Sequence, residues 1–339
     1  MTKFNIAMGV GRREPLSRIA DLARQMEEHG FYSLWLQDNP LMTKDAYMAL
    51  AVASLETTKL RLGPGVSNTI VRHPSVIANA IATLDQVSGG RAVLGLGGGG
   101  PALVETLGER SRRIDDLRKE ILAIGRLLNG QPADPESEHS YRVASADRRV
   151  PIYLAARGPR MLALAGEVAD GAWIAGASRP EIFDRKVGQV RAGAEKAGRD
   201  PDSIQINVLV NVAVDTADRK GVDVLKPSVI GSLIEGDPEG DIPAEYADVI
   251  KAVRENHDPA KHLAADDPVG DLIPEDLVKL LAIAGDESEC RQRLHDLMEL
   301  GPDEITMTLM SGGRVEKLES LARVALGSAG AAAGVGSNG

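Results

Sequence analysis

Short apolar runs alternate with longer amphipathic stretches along almost the whole chain, and this alternation constrains the fold more than any single motif. Phe4–Met8, Tyr32–Leu36, Leu60–Val66, Ala92–Leu96, Pro151–Ala155, Gly171–Ile174, Ile204–Val214 and Glu304–Leu309 read as strands. Each is followed by helical periodicity, over Pro15–His29, Ala46–Leu55, Pro74–Val87, Ile114–Leu128, Pro159–Ala169, Pro180–Ala197, Ser288–Leu300 and Val315–Leu326. The first helix shows the logic. Leu16, Ile19, Ala20, Ala23 and Met26 form an apolar stripe, Pro15 opens it and Gly30 stops it. Strands separated by helices imply a parallel sheet with right-handed crossovers. Eight such units point to an α/β chain folded as a (β/α)8 TIM barrel. A doubly wound open sheet satisfies the same periodicity, which does not encode closure.

Two segments leave this rhythm. Asp215–Pro274 is acidic and rich in Pro and Gly, with weaker helical patches at Val222–Ile234 and Ala244–Arg254. The expected organisation is a single barrel domain over 1–326 carrying 215–274 as an insertion near strand seven. There it is either a lid over the pocket or a solvated decoration. Gly327–Gly339 is nearly all Gly, Ala and Ser and is expected to be disordered. With 39 Lys and Arg against 49 Asp and Glu, the net charge of −10 opposes a non-specific nucleic-acid binder. No apolar run is long enough to span a bilayer, and Met1–Asn5 lacks a signal-peptide core. The single cysteine, Cys290, excludes an internal disulfide and a cysteine metal cluster. A cytoplasmic protein without a metal site or a nucleic-acid or membrane partner is the expectation.

In a barrel, function gathers at the C-terminal ends of the strands. Ala155-Ala156-Arg157-Gly158-Pro159 places Pro159 at a helix start, where free N–H groups favour an anion. Ile174-Ala175-Gly176-Ala177 ends the next strand, and the two loops together could cradle a phosphate; each alone is explained by ordinary loop chemistry. Gly97–Gly100 is neither a Walker loop nor a dinucleotide fingerprint; it is a close-packed loop under a flat ring or a simple turn. Asp38, Asn39, Asn68, Arg72 and His73 are the polar candidates. Asp38 could meet a cofactor group or cap the next segment, and His73, before Pro74, could simply shape a helix start.

Longer words then become recognisable. Leu62-Gly63-Pro64-Gly65-Val66-Ser67-Asn68, Arg72-His73-Pro74, Ala78–Asp85 and Ser88–Gly97 closely resemble the luciferase-like flavin/deazaflavin superfamily. Within it they are most similar to the coenzyme F420-dependent methylenetetrahydromethanopterin reductase branch, and Gly158–Leu162 and Ala165–Gly171 fit the same group. The resemblance covers most of 1–214 and 285–326. It implies a barrel, usually a homodimer, that holds F420, or alternatively FMN, at the strand C-termini. It also implies a non-proline cis peptide at Gly65-Val66 or Val66-Ser67, as a backrest for the ring. By the same resemblance Asp38 lies near the ring edge, Gly97 and Gly98 lie below the ring, and Arg157, Gly158, Ala175 and Gly176 lie at the phosphate.

The departures are specific. The family's Asp-His pair is Asp38-Asn39 here, its acid after strand four falls at Gly100, and its strand-one acid falls at Ala7 or Met8. The resemblance therefore implies hydride transfer between F420 and a small organic substrate, with Asp38 and Asn39 as the catalytic candidates. The proton would come from substrate, solvent or another side chain, such as one from the insertion. An FMN-dependent luciferase-like monooxygenase and a catalytically degenerate ligand-binding barrel are the alternatives.

Overall fold

The computed structural model describes residues 1–146, 148–236, 240–258 and 268–327. Nine parallel strands form one nearly closed sheet: β1 (Lys3–Met8), β2 (Ser33–Leu36), β3 (Arg61–Pro64), β4 (Ser67–Asn68), β5 (Leu94–Gly97), β6 (Ile152–Ala156), β7 (Gly171–Ala175), β8 (Gln205–Val210) and β11 (Glu304–Thr308). Their order is β3-β2-β1-β11-β8-β7-β6-β5-β4. The two ends of that order, β3 and β4, are halves of one barrel position broken at Gly65-Val66. Leu62 bridges Ala92, with Leu62 N–H on Arg91 O at 3.1 Å and Val93 N–H on Leu62 O at 3.0 Å. That bridge brings the two edges together, giving the TIM-barrel arrangement of eight positions.

The outer helices α1 (Leu16–His29), α2 (Ala46–Leu55), α3 (Pro74–Val87), α5 (Ile114–Leu128), α6 (Pro159–Val168), α7 (Pro180–Lys196), α11 (Glu287–Glu299) and α12 (Arg314–Leu326) follow the periodicity closely. Ile19, Leu22, Ala23 and Met26 of α1 are buried, and Gly30 ends that helix at φ 94°. Short α4 (Pro101–Thr106), directly after the glycine run, has no counterpart in the sequence reading. Helices α6 and α7 pack backbone to backbone. A Cβ on Gly166 would lie 1.9 Å from Val190 O, and one on Gly193 2.0 Å from Ala163 O.

The run read as strand seven, Ile204–Val214, is not one barrel strand. It divides at Asn211 into β8 and β9 (Val212–Val214), and β9 leaves the barrel to pair in parallel with β10 (Ile283–Gly285). Asn211 O accepts from Ile283 N–H at 2.9 Å at the start of that second ladder. Between them lie α8 (Gly221–Glu235), α9 (Ala247–Asn256) and α10 (Glu275–Leu281), which bury Leu225, Val229, Leu233, Val253 and Leu277 in a small core of their own. Ser228 Oγ meets Met310 Sδ just beyond β11, and Arg157 beyond β6 donates to two carbonyls of this segment. The insertion therefore sits at the C-terminal mouth of the barrel. The Gly327–Gly339 tail lies, beyond Gly327, outside the described residues. No helix among the described residues is long and apolar enough to cross a membrane.

Inside the barrel, a lower polar layer of Asn5, Asn207, Glu304 and Thr306 is tied together by side-chain hydrogen bonds and capped by Tyr153 Oη on Glu304 Oε1 at 2.8 Å. Above it, Ala7, Trp35, Val93, Tyr153 and Trp173 form an apolar layer. Its rings touch, Trp35–Trp173 at 4.9 Å and Trp35–Tyr153 edge-on at 5.6 Å. This aromatic layer is the floor on which the mouth is built.

Candidate active site

The break in strand three rests on that floor because its glycines let backbone approach ring. A Cβ on Gly63 would fall 1.9 Å from Val93 O; one on Gly65 would fall 2.5 Å from Trp173 Cη2 and 2.7 Å from Trp35 Cβ. The Gly65-Val66 peptide is cis, at the first of the two bonds expected. Val66 then lies against β5: a Cβ on Gly97 would meet Val66 Cγ2 at 2.8 Å. Gly98 and Gly100 face open space instead, with nothing within 4 Å of an added Cβ. Gly65, Val66, Gly97 and Gly98 therefore come together as one surface at the mouth, with little side chain on it.

Asp38, two residues beyond β2, anchors the other side of the break. It is 3% exposed. Its Oδ2 accepts from Ser67 Oγ at 2.7 Å and Arg72 Nε at 2.8 Å, and its Oδ1 accepts from Arg72 Nη2 at 3.0 Å. The bidentate guanidinium also reaches Asp45 Oδ2 at 2.7 Å and lies over the Tyr47 ring. Hydrogen bonding to Asp38 first, and to Asp45 after it, raises the Arg72 pKa above its ordinary value. Asp38 is thus a buried clamp between β2, β4 and the start of α3. Asn39 shapes a turn: its Oδ1 accepts from Leu41 N–H at 3.1 Å and its carbonyl from Thr43 Oγ1 at 2.9 Å. His73 is the N-cap of α3, its Nδ1 accepting from Ser75 N–H at 3.2 Å.

A third corner forms at the ends of β6 and β7. Gly158 is the N-cap of α6, and Arg157 donates from Nη1 to Ser232 O and Gly236 O, both at 3.2 Å. Gly176 has φ 68°, and an added Cβ would meet only Lys186 Nζ at 3.6 Å. Lys186 itself donates to Ala175 O at 3.0 Å and pairs with Asp241 Oδ2 at 3.1 Å. Arg179 and Arg185 also converge on Asp241. The structure brings Ala175 and Gly176 beside this cationic cluster, while Arg157 and Gly158 hold the neighbouring loop.

The sequence reading missed Lys186, Arg185 and Asp241. One signal was present: Lys186 falls in the apolar stripe Ile182, Phe183, Val187, Val190, a position a lysine occupies only with a partner. It also missed Glu120 of α5, which accepts from Thr69 Oγ1 at 2.5 Å beside the end of β4 and pairs with Arg112 at 3.4 Å. No carboxylate stands at residues 7, 8 or 100; Ala7 and Met8 are both buried. No three His, Cys, Asp or Glu among the described residues are grouped to hold a metal ion.

The family model described as luciferase-like monooxygenase matches residues 1–304. A 5,10-methylenetetrahydromethanopterin reductase of Methanolobus tindarius is 30% identical over 315 residues, covering 90% of this chain and 94% of that protein. An F420-dependent glucose-6-phosphate dehydrogenase of Nakamurella multipartita is 35% identical over 219 residues, covering 59% of this chain and 64% of that one. Among solved structures, the coenzyme F420-dependent tetrahydromethanopterin reductase of Methanopyrus kandleri superposes with a TM-score of 0.76 at 26% identity, covering 96% and 98% of the two chains. An F420-dependent secondary alcohol dehydrogenase in complex with an F420-acetone adduct has the same TM-score at 19% identity, covering 96% and 98%, and shares the fold.

Proposed function

The chain belongs to the luciferase-like monooxygenase family, and on that premise we propose that it is an F420-dependent oxidoreductase acting on a small organic substrate. The observation that carries the reading is the bare surface made by Val66, Gly97 and Gly98, which suits a flat ring laid on backbone. F420, when bound, supplies a deazaflavin that carries a hydride at carbon 5.

The residues present fit such a group. Gly98 and Gly100 leave open space where a side chain would collide with a ring, and Val66 packs on Gly97 as part of the same surface. Asp38 acts through others: by fixing Ser67 and Arg72 it holds the break in strand three, so the chain's contribution there is alignment. Both oxygens of Asp38 are engaged by Ser67 and Arg72, and the family resemblance would put its neighbour Asn39 near the ring edge. Gly176, with Lys186 beneath it, suits the phosphate end. The insertion, at the mouth, would cover a bound ring and exclude water from it. The same reading makes the protein a homodimer.

Titration with oxidised F420, followed by its fluorescence, tests the proposal. Saturable quenching in the micromolar range is expected. No binding at tens of micromolar, ~10 to 50 μM, overturns it. A yellow protein that retains FMN would support the monooxygenase alternative instead.

A further inference from the structure

We propose that Arg179, Arg185 and Lys186 form an anion site at the rim of β7, occupied in this conformation by the chain's own Asp241 and otherwise by the phosphate end of a ligand. The inference rests on the functional reading above for the identity of that ligand, but not for the existence of the site.

The charges are divided between two parts of the chain. All three cations come from the barrel, at the start and first turns of α7, while Asp241 comes from the insertion. Lys186 is the most telling member. Its side chain is 3% exposed, and a buried ammonium is tolerated only against an anion and an acceptor, here Asp241 Oδ2 at 3.1 Å and Ala175 O at 3.0 Å. Arg185 takes the other carboxylate oxygen, and Arg179 takes the Asp241 carbonyl as well as Glu181 at 3.3 Å. Glu181 is mostly exposed, and among the described residues Asp241 is the carboxylate that meets Lys186.

Position gives the pairing its meaning. Ala175 ends β7 at the mouth, and a Cβ on the next residue, Gly176, would lie 3.6 Å from Lys186 Nζ. The N-terminus of α7 opens there with no side-chain cap, which adds a partial positive charge to the same corner. A phosphate entering along β7 meets one guanidinium, Arg185, and the Lys186 ammonium already arranged around a carboxylate, with Arg179 beside them on the Asp241 carbonyl. To use them it must displace Asp241. Cofactor binding and release of this part of the insertion are then one linked event, and the carboxylate acts as a competitor that weakens phosphate-bearing ligands selectively.

A structural strut makes the opposite prediction. If Asp241 only braces the cations, its removal scatters them and weakens anion binding. Asp241→Ala and the near-isosteric Asp241→Asn are compared with the parent chain, each first shown to unfold cooperatively. Three probes are titrated calorimetrically or by fluorescence: F420, the deazaflavin riboside lacking the phosphate and tail, and inorganic pyrophosphate. Both variants should bind F420 and pyrophosphate tighter by roughly five- to ten-fold, with the riboside unchanged. Unchanged or weaker pyrophosphate binding in both variants overturns the proposal, as does an equal gain for F420 and the riboside. Should no protein bind F420 while the variants gain pyrophosphate affinity, the anion site stands and the functional reading falls.

Discussion

Asp38 is a buried side chain whose hydrogen bonds tie three segments of the mouth together. Three donor contacts saturate a carboxylate that is almost wholly buried, so removing it leaves Ser67 and most of Arg72 without a partner in the interior. Asp38→Ala should cost about 2–4 kcal/mol in a denaturant titration, because breaking one side of a buried pair exposes the other to its desolvation penalty. F420 affinity should fall with it. Asn39→His is the contrasting case. It forfeits one hydrogen bond to Leu41 N–H, about 1 kcal/mol, and leaves the clamp intact. F420 affinity should stay within a few-fold, while turnover acquires a pH dependence near the histidine range of about 6.5. If Asn39→His abolished binding and Asp38→Ala did not, the reading of this corner would be wrong.

At the scale of elements, strand three and strand four are fitted together by glycine, and two of these glycines separate packing from ligand contact. A methyl group at Gly65 would press on Trp173 and Trp35 at 2.5 and 2.7 Å, against rings that have no room to retreat. Gly65→Ala should destabilise by about 1–3 kcal/mol through overpacking and lose F420 binding as well. A methyl at Gly98 meets nothing within 4 Å. Gly98→Ala should therefore leave stability within about 0.5 kcal/mol yet weaken F420 binding, if the ring occupies the space the methyl would fill as proposed. Parallel thermal melts and fluorescence titrations decide this, and unchanged affinity in Gly98→Ala would remove the ring from this wall. Gly166 and Gly193 let α6 and α7 approach backbone to backbone, and a Cβ at either position would press on a carbonyl of the other helix.

For the whole molecule, burial of ionisable groups sets a pH dependence. Desolvation pushes the Cys290 thiol up to about 12 and raises Tyr47 and Tyr153 above the usual phenol value. The unfolded chain gives up these protons from about pH 9 upward while the folded chain keeps them, so stability falls as pH rises through that window. The denaturant midpoint should drop between about pH 8 and about pH 10.5, and Cys290→Ala should blunt the early part of the decline. For the homodimer proposed above, α2 offers a candidate interface, being apolar on its outer face as well as its inner one. Met48 is 63% and Leu55 72% exposed, with Leu41, Val76 and Val87 also exposed on neighbouring segments. Such a face is a fit interface for a second copy of the chain. Leu55→Asp should convert a dimer to a monomer in sedimentation equilibrium; an unchanged mass would place the interface elsewhere.

The sequence by itself determined the number and order of the strand–helix units, the ends of most helices and the glycines that break strand three. All of these are local. Periodicity of burial, a stop at Gly30 and the run Gly63-Pro64-Gly65 are readable within one or two turns of chain. The tertiary structure alone decided the rest. Ile204–Val214 reads as one continuous strand because both halves are apolar, yet Val212–Val214 pairs with Ile283–Gly285, a partner supplied from beyond the insertion. Asp38 and Asn39 look equivalent as neighbours; the approach of Ser67 and Arg72 makes one a clamp and the other a turn. Lys186 and Asp241 stand in different segments, and only the fold closes them to 3.1 Å. Burial of a face is encoded by spacing along the chain, whereas the identity of a charge's partner depends on which distant segment the closed barrel carries to it.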